Sequence, residues 1–134
     1  MKYDTSSMKK IKQYIVNTFT DKLFSGNPAA ICLIEKWLPD ELMMKIAMEN
    51  KLSETAFVVR ENEQYKLRWF TPKMEIDLCG HATLAATYVI TSFVEPNKTT
   101  ISFHTRSGVL KATRKDNLYY IDSVSYTHLR AHET

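Results

Sequence analysis

The 134-residue chain has few of the residues that hold small proteins together covalently or through metals. Its two cysteines, Cys32 and Cys79, are not in a CxxC spacing, so the sequence contains no disulfide or zinc framework. It also lacks a nucleotide-binding loop, and we therefore predict neither a bound metal nor a cofactor. So few cysteines are typical of a reducing compartment, and we expect a cytoplasmic location.

Long apolar runs and clusters of like charge are missing too. No apolar run reaches the roughly 18 residues that a membrane-spanning helix requires, and the N-terminus is polar and lysine-rich, so we expect neither secretion nor membrane insertion. The net charge of +3 comes from 18 basic and 15 acidic residues spread along the chain. Nothing in this distribution predicts a nucleic-acid partner.

The composition that remains is that of one globular domain, with 44% hydrophobic and 25% charged residues. The length suits one domain and is too short for two. We expect residues 1–12 to be disordered or weakly ordered and residues 13–124 to form the domain. Residues 125–134 continue no pattern and resemble translated sequencing-adapter read-through, so we expect a non-native tail there.

Apolar periodicity predicts two helices and seven strands. The first helix, over residues 40–51, is amphipathic, whereas the second, over 81–94, is apolar nearly all round and should be buried. The elements together predict an α+β fold in which a curved, mostly antiparallel sheet wraps around a central apolar helix. The strands are expected at 13–19, 29–34, 55–59, 65–70, 100–104, 109–113 and 118–121.

The beginning of the apolar helix is the first candidate site. Gly80 has no Cβ, so a ligand could approach the backbone N–H groups of Gly80 to Thr83, and helix N-termini attract anions. A substrate carboxylate is therefore the expected ligand, bound at Gly80, Ala82 and Thr83. His81 could hydrogen-bond the substrate or move a proton there; alternatively, it satisfies the backbone at the helix end.

A carboxylate and an amide form the second candidate group. Glu54 lies where the amphipathic helix meets the next strand, and partial burial would raise its pKa and suit it to acid or base catalysis. In solvent it would be an ordinary helix-end charge. Asn27 follows Ser25-Gly26 and precedes Pro28, so it either turns its amide toward the same cleft or belongs to an ordinary turn.

Cys79 can be interpreted in two ways. A thiol at a helix N-terminus can have a lowered pKa and act as a base or nucleophile. A buried, inert cysteine fits the sequence equally well.

Five segments in register resemble the phenazine biosynthesis-like (PhzF-type) isomerase family, over a range from about residue 12 to residue 122. Each segment alone is a weak indication of the family, but five segments in the same order are a specific one. The segments are Asn17-Thr18-Phe19, Phe24-Ser25-Gly26-Asn27-Pro28-Ala29, Ser53-Glu54-Thr55-Ala56-Phe57, Arg68-Trp69-Phe70-Thr71-Pro72 and residues 77–85.

The resemblance implies a diaminopimelate-epimerase-like fold of two lobes, each a sheet around a central helix, with the active site between them. This chain corresponds to the N-terminal lobe. In the family, the glutamate of the Ser-Glu-Thr motif is the acid/base of a cofactor-independent proton shift, which implies that role for Glu54, and His81 matches the active-site histidine. Phenazine-pathway members isomerise a dihydro-hydroxyanthranilate, and we expect a homodimer for the intact protein.

The same resemblance leaves alternatives. An aspartate and a serine of the family's second lobe have no matching positions here, so we expect this fragment to be inactive alone. Cys79-Gly80 is also similar to a motif of amino-acid racemases and epimerases, whose two thiols act from opposite lobes, so a thiol-based racemase is one alternative. A non-catalytic binding protein that self-associates through its exposed face is another.

Overall fold

The computed structural model describes residues 11–18 and 27–121. In these residues eight strands form one sheet, and two helices pack on its opposite faces. Helix α1 is Asp40–Asn50, helix α2 is Gly80–Val89, and a π-helical turn, Ile90–Val94, continues α2. The strands are β1 (Lys12–Thr18), β2 (Asn27–Ile34), β3 (Glu54–Glu61), β4 (Gln64–Phe70), β5 (Glu75–Ile76), β6 (Thr100–Thr105), β7 (Gly108–Lys115) and β8 (Leu118–Ile121).

The sheet has the order β1-β2-β3-β4-β6-β7-β8, and the short β5 pairs with β4. Five of its pairings are antiparallel, and two, β2 with β3 and β4 with β6, are parallel. A parallel pair needs a long crossover connection, and here α1 supplies the first and α2 the second. The two crossovers therefore determine which helix covers which face.

The central strands are buried on both faces, which explains their continuous apolar runs. In β3, Ala56 and Val58 belong to the inner core around α2, whereas Phe57 and Val59 belong to the outer core under α1. This alternation is the period of two that a strand imposes on its side chains. One strand thus holds both helices.

Helix α2 lies inside the curve of the sheet, because it contacts strands from both halves of the strand order: β1, β2 and β3 on one side, β7 and β8 on the other. Its buried residues are mostly alanine and threonine, which lets the strands approach closely. The hydroxyls of Thr87 and Thr91 donate to the carbonyls of Thr83 and Thr87, each at 2.8 Å. These bonds satisfy polar groups that burial would otherwise penalise.

The β3–β4 hairpin turns on two residues with positive φ, Asn62 at 51° and Glu63 at 65°. Two successive residues with positive φ are the signature of a type I′ turn, whose twist matches that of the paired strands. The strands were predicted to end at residue 59 and begin again at residue 65, but both extend further and leave a connection of two residues.

The α+β architecture, with a curved and mostly antiparallel sheet around an apolar helix, is confirmed. Two details differ from prediction. Strand β5 was not predicted, because two residues are too few to show a period. The helix predicted to be buried is mostly so, but Tyr88 of α2 and Phe93 of the π-helical turn are exposed.

The open side of α2 has an aromatic cluster. Phe93 stacks on Tyr14 of β1 with ring centroids 4.9 Å apart, and Tyr88 packs edge-on against Phe93 and against Tyr119 of β8. This cluster joins the two edge strands across the helix. Exposed rings on one side explain how an almost uncharged helix can still border solvent.

Two predictions, the disorder of residues 1–12 and the non-native tail of 125–134, fall mainly or wholly outside the described residues, as do Phe19 and the turn residues Ser25 and Gly26. Within the described ranges, no helix has both the length and the hydropathy that crossing a membrane requires.

Candidate functional site

The candidate site forms where β3 and α2 both begin. Glu54 is the first residue of β3 and pairs in parallel register with Ala29 of β2. Helix α1 ends just before it, with Lys51 in the left-handed conformation that reverses the chain direction at a helix end. The crossover thus returns the chain to the sheet with a carboxylate at the strand's first position.

Cys79 precedes α2 with an extended backbone, φ −149°, and its side chain does not cap the helix. The first intrahelical bond is donated by the Thr83 N–H to the Cys79 carbonyl, at 3.1 Å. The N–H groups of Gly80, His81 and Ala82 precede that bond and therefore have no intrahelical acceptor. Together with the helix dipole they create a positive end that suits an anion.

The Glu54 carboxyl is close to this helix end. Burial raises its pKa above the usual 4.5, while the charge of His81 and a hydrogen bond with Cys79 oppose the rise. Its Oε1 atom is buried and has no hydrogen-bond partner among the described residues. The structure therefore brings three predicted residues together, Glu54, Cys79 and His81, and leaves one carboxylate oxygen unpaired between them.

The two cysteines differ in their surroundings. Cys79 is half-buried, belongs to no disulfide and hydrogen-bonds Glu54. Cys32 is fully buried, donates to Gln13 Oε1 at 3.2 Å, and burial raises its pKa to about 12. Because the thiolate is the reactive form, Cys32 is inert and Cys79 is the only one of the two that suits chemistry.

Thr83 and Asn27 are both near the site but make bonds inside the protein. The Thr83 hydroxyl donates to the Cys79 carbonyl at 2.7 Å and accepts from Trp69 Nε1 at 3.1 Å. With its N–H also taken by Cys79, Thr83 supports the helix end rather than offering a free group to a ligand. Asn27 Oδ1 accepts from the hydroxyl of Ser53, the neighbour of Glu54, at 3.1 Å.

Two contacts that could not be predicted from the sequence hold the helix end in place. Trp69 reaches it through Thr83, and the β6–β7 turn reaches it through Ser107, whose hydroxyl donates to the Asp77 carbonyl at 2.7 Å. Ser107 and Asp77 are thirty residues apart. No local pattern reports such a contact, since it depends on how the sheet is ordered.

Metal ligands are not grouped in the described ranges: no set of three or more His, Cys, Asp or Glu side chains lies close enough to hold an ion.

Comparison with known proteins gives a consistent family. The model of the family described as "phenazine biosynthesis-like protein" (PhzC-PhzF) matches residues 16–126. An uncharacterized isomerase of Pseudomonas aeruginosa is 49% identical over 107 residues, which are 80% of this chain and 41% of that protein. A crystal structure of a PhzC/PhzF phenazine biosynthesis protein from Clostridium difficile has 58% identity and a TM-score of 0.78, over 83% of this chain and 43% of that one.

A more distant structure is similar in fold alone. A hydroxyproline epimerase from Agrobacterium vitis superposes with a TM-score of 0.56 at 10% identity, over 84% of this chain and 41% of that one. In all three comparisons this chain spans less than half of the other protein's length.

Proposed function

The chain belongs to the phenazine biosynthesis-like (PhzC-PhzF) family, and on this premise we propose that the full-length protein is a cofactor-independent isomerase. It shifts a proton within a small carboxylate-bearing metabolite, with Glu54 as the acid and base. The observation that carries the proposal is the Glu54 carboxyl itself. It has a raised pKa and an unpaired buried oxygen beside a helix N-terminus.

The substrate carboxylate binds the N–H groups of Gly80, His81 and Ala82, which have no acceptor within the helix. Glu54, as carboxylate, takes a proton from a carbon of the bound molecule and returns it to another carbon of the same molecule. The electron pair of the broken C–H bond moves through the substrate, so neither an oxidant nor a cofactor is needed. The raised pKa makes Glu54 a stronger base than a solvated glutamate.

His81 has a supporting role in this proposal. Its charge is one of the two influences that lower the Glu54 pKa against the effect of burial, so it favours the ionised form of Glu54 that accepts the proton. Placed in the first turn of α2, it also lies on the same side as the substrate carboxylate.

The test compares Glu54→Gln with Glu61→Gln in the full-length gene product. Both residues are in β3, but Glu61 is at the far end, where it is exposed and pairs with Lys66 at 2.8 Å. Each protein is incubated in D₂O with a dihydro-hydroxyanthranilate and with a panel of small amino acids, and deuterium incorporation is measured by mass spectrometry. Glu54→Gln should lower incorporation at least about 100-fold, the usual effect of losing an acid/base group. Equal incorporation in both variants contradicts the role of Glu54.

A second candidate function, a thiol-based racemase, is favoured by one observation: Cys79 occupies the N-cap position and its thiol hydrogen-bonds Glu54. In that mechanism Cys79 rather than Glu54 removes the proton, and Glu54 accepts the thiol proton. Cys79→Ser then abolishes deuterium incorporation. If Cys79→Ser retains it while Glu54→Gln loses it, the racemase alternative is wrong.

A further inference from the structure

An ion-pair network lies next to the candidate site and outside it. Arg68 of β4 donates two hydrogen bonds to Glu75 of β5, from Nε to Oε2 and from Nη2 to Oε1, each at 2.8 Å. The two side chains are only 17% and 16% exposed. Such bidentate pairs are strong and directional, and here the pair adds a side-chain link to the backbone pairing of β4 with the two-residue strand β5.

Arg106, in the β6–β7 turn, extends this network toward α2. Its Nη1 atom lies 2.9 Å from Glu75 Oε1, and its Nη2 atom lies 3.8 Å from Asp77 Oδ1. The hydrogen bonds from Arg68 and then from Arg106 lower the pKa of Glu75, so the carboxylate stays charged. The next residue of the turn, Ser107, donates its hydroxyl to the backbone carbonyl of Asp77.

Asp77 is the first residue of the short link between β5 and α2, and Cys79 is the last. The far end of that link is held by the chain of bonds from Trp69 Nε1 to the Thr83 hydroxyl and from that hydroxyl to the Cys79 carbonyl. The link is therefore fixed at its beginning by a turn from β6–β7 and at its end by β4. Loop segments that carry a site need such support to hold their geometry.

We propose that Arg106 and Ser107 are positioning residues: by holding Asp77 they fix the Asp77–Cys79 link, and with it the carboxylate-binding N-terminus of α2, relative to Glu54. The inference rests on the proposed function, because it assumes that this helix end binds a carboxylate. The hydrogen bond of Ser107 is to Asp77, and the ion pairs of Arg106 are with Glu75 and Asp77. They act through the backbone of the link and through Glu75.

The test measures carboxylate binding without turnover, in the full-length gene product and with acetate as the probe. Alkylation of the half-buried Cys79 by iodoacetamide is followed by mass spectrometry while acetate is titrated, and the acetate concentration that halves the rate is recorded. The buried Cys32 serves as the internal unreactive thiol. The variants are Arg106→Gln and Ser107→Ala, and the control is Arg60→Gln, which breaks a comparable exposed pair with Glu95 at the other end of the sheet.

Acetate should protect Cys79 in the wild type, and the half-protection concentration should rise about two- to fivefold in Arg106→Gln and Ser107→Ala, the range expected when a charge loses an aligned helix N-terminus. Arg60→Gln should leave this concentration unchanged. Arg106→Lys keeps the charge, so its half-protection concentration should lie between those of the wild type and Arg106→Gln. A merely structural role predicts lower melting temperatures with the half-protection concentration unaltered.

The outcomes separate the two proposals. Equal half-protection concentrations in all variants overturn the positioning role and leave the proposed function standing. If acetate fails to protect Cys79 even in the wild type, the carboxylate site itself is wrong, and the positioning role falls with it. If the concentrations shift as expected but Glu54→Gln keeps its deuterium incorporation, positioning survives and the catalytic assignment does not.

Discussion

Glu54 shows how burial prepares a side chain for proton transfer and at the same time costs stability. A carboxylate that loses water without gaining a full set of hydrogen bonds is less stable in its charged form, which is why burial raises the Glu54 pKa. Groups whose pKa is shifted by burial are typical of functional sites.

The buried Glu54 carboxylate should make the stability of the protein depend on pH. The folded-state pKa of Glu54 lies above its usual 4.5, so the folded state binds the proton more tightly than the unfolded state. Stability is therefore lost as the pH rises through the window that begins at 4.5 and extends up to the raised pKa. Glu54→Gln should raise the melting temperature at pH 7 and change it less at pH 4. Glu61→Gln, on the exposed end of the same strand, should show no such difference.

Glu75 should behave in the opposite way. Hydrogen bonds from Arg68 lower its pKa, so its contribution to stability is present above the usual 4.5 and is lost as the pH falls through the lower folded value. Glu75→Gln should therefore destabilise the protein at pH 7 and have progressively less effect in acid. Thermal melts of the variant and the wild type from pH 7 down to pH 2 measure this. An effect that stays constant over the range contradicts the ion pair.

The residue types at the site were accessible from sequence, but their connections were not. Glu54, Cys79 and His81 stand out because a carboxylate begins a strand and a Cys-Gly-His run begins an apolar helix. That they meet depends on the parallel β2–β3 pairing and on the position of α2 inside the sheet. The unpaired Oε1 and the commitment of the Thr83 hydroxyl to Trp69 are consequences of packing that no period in the sequence reports.

Helix α2 is held by buried hydroxyl groups as well as by apolar contacts. Thr83 and Thr87 are both fully buried and both donate to a backbone carbonyl four residues earlier. Thr83 alone also accepts a hydrogen bond, from the Trp69 indole. The two residues therefore differ in this one hydrogen bond, and substitutions at both positions can measure its contribution to stability.

Thr83→Val should therefore destabilise the protein more than Thr87→Val. The change preserves the shape of the side chain, but at position 83 it leaves the buried Trp69 N–H without an acceptor, which costs about 1–3 kcal/mol. At position 87 only a back-bonding hydroxyl is lost, so we expect a smaller effect. Urea denaturation of both variants measures the free energies of unfolding. Equal losses would show that the indole bond contributes nothing.

The β3–β4 hairpin offers a stabilising change. Glu63 has a φ of 65°, a conformation that costs a residue with a Cβ about 1–2 kcal/mol and costs glycine much less. Glu63→Gly would complete the Asn-Gly pair that type I′ turns prefer, and it should raise the free energy of unfolding by about 0.5–1 kcal/mol after the entropy of glycine is counted. Glu61→Gly, in the paired strand, should instead lower it. Urea denaturation again measures both.

An element could be predicted when its spacing of apolar residues repeated several times, and could not be predicted when the element was too short for the spacing to repeat. The two helices and seven of the strands have several apolar residues at a regular spacing, whereas β5 has two residues and its pairing with β4 depends on how the chain folds back. The exposure of Tyr88 and Phe93 could not be predicted, because a gap between the edge strands is a property of the whole sheet. An apolar surface on a helix does not say which of its sides the sheet leaves open.

At the scale of the whole molecule, the described residues form one sheet with α2 inside it and the candidate site at the N-terminal end of that helix. The relatives with similar sequences are about twice as long, and the matched part of this chain covers 41% of the Pseudomonas isomerase. The helix end has N–H groups without an intrahelical acceptor and lies beside Glu54, whose buried Oε1 atom has no hydrogen-bond partner among the described residues. Activity of the full-length protein is accordingly part of the proposal, whereas the family and the fold are established.

We propose that the fold holds a proton-accepting carboxyl, that of Glu54, beside the N-terminus of α2. This proposal is tested most directly by a ¹³C NMR titration of the glutamate carboxyls in the full-length gene product. Glu54→Gln and Glu75→Gln assign the two signals. We predict that Glu54 titrates above 4.5 and Glu75 below it, in the same sample. A Glu54 midpoint at or below 4.5 would mean that the carboxyl is solvated or paired, and it would contradict the assignment of Glu54 as the acid and base.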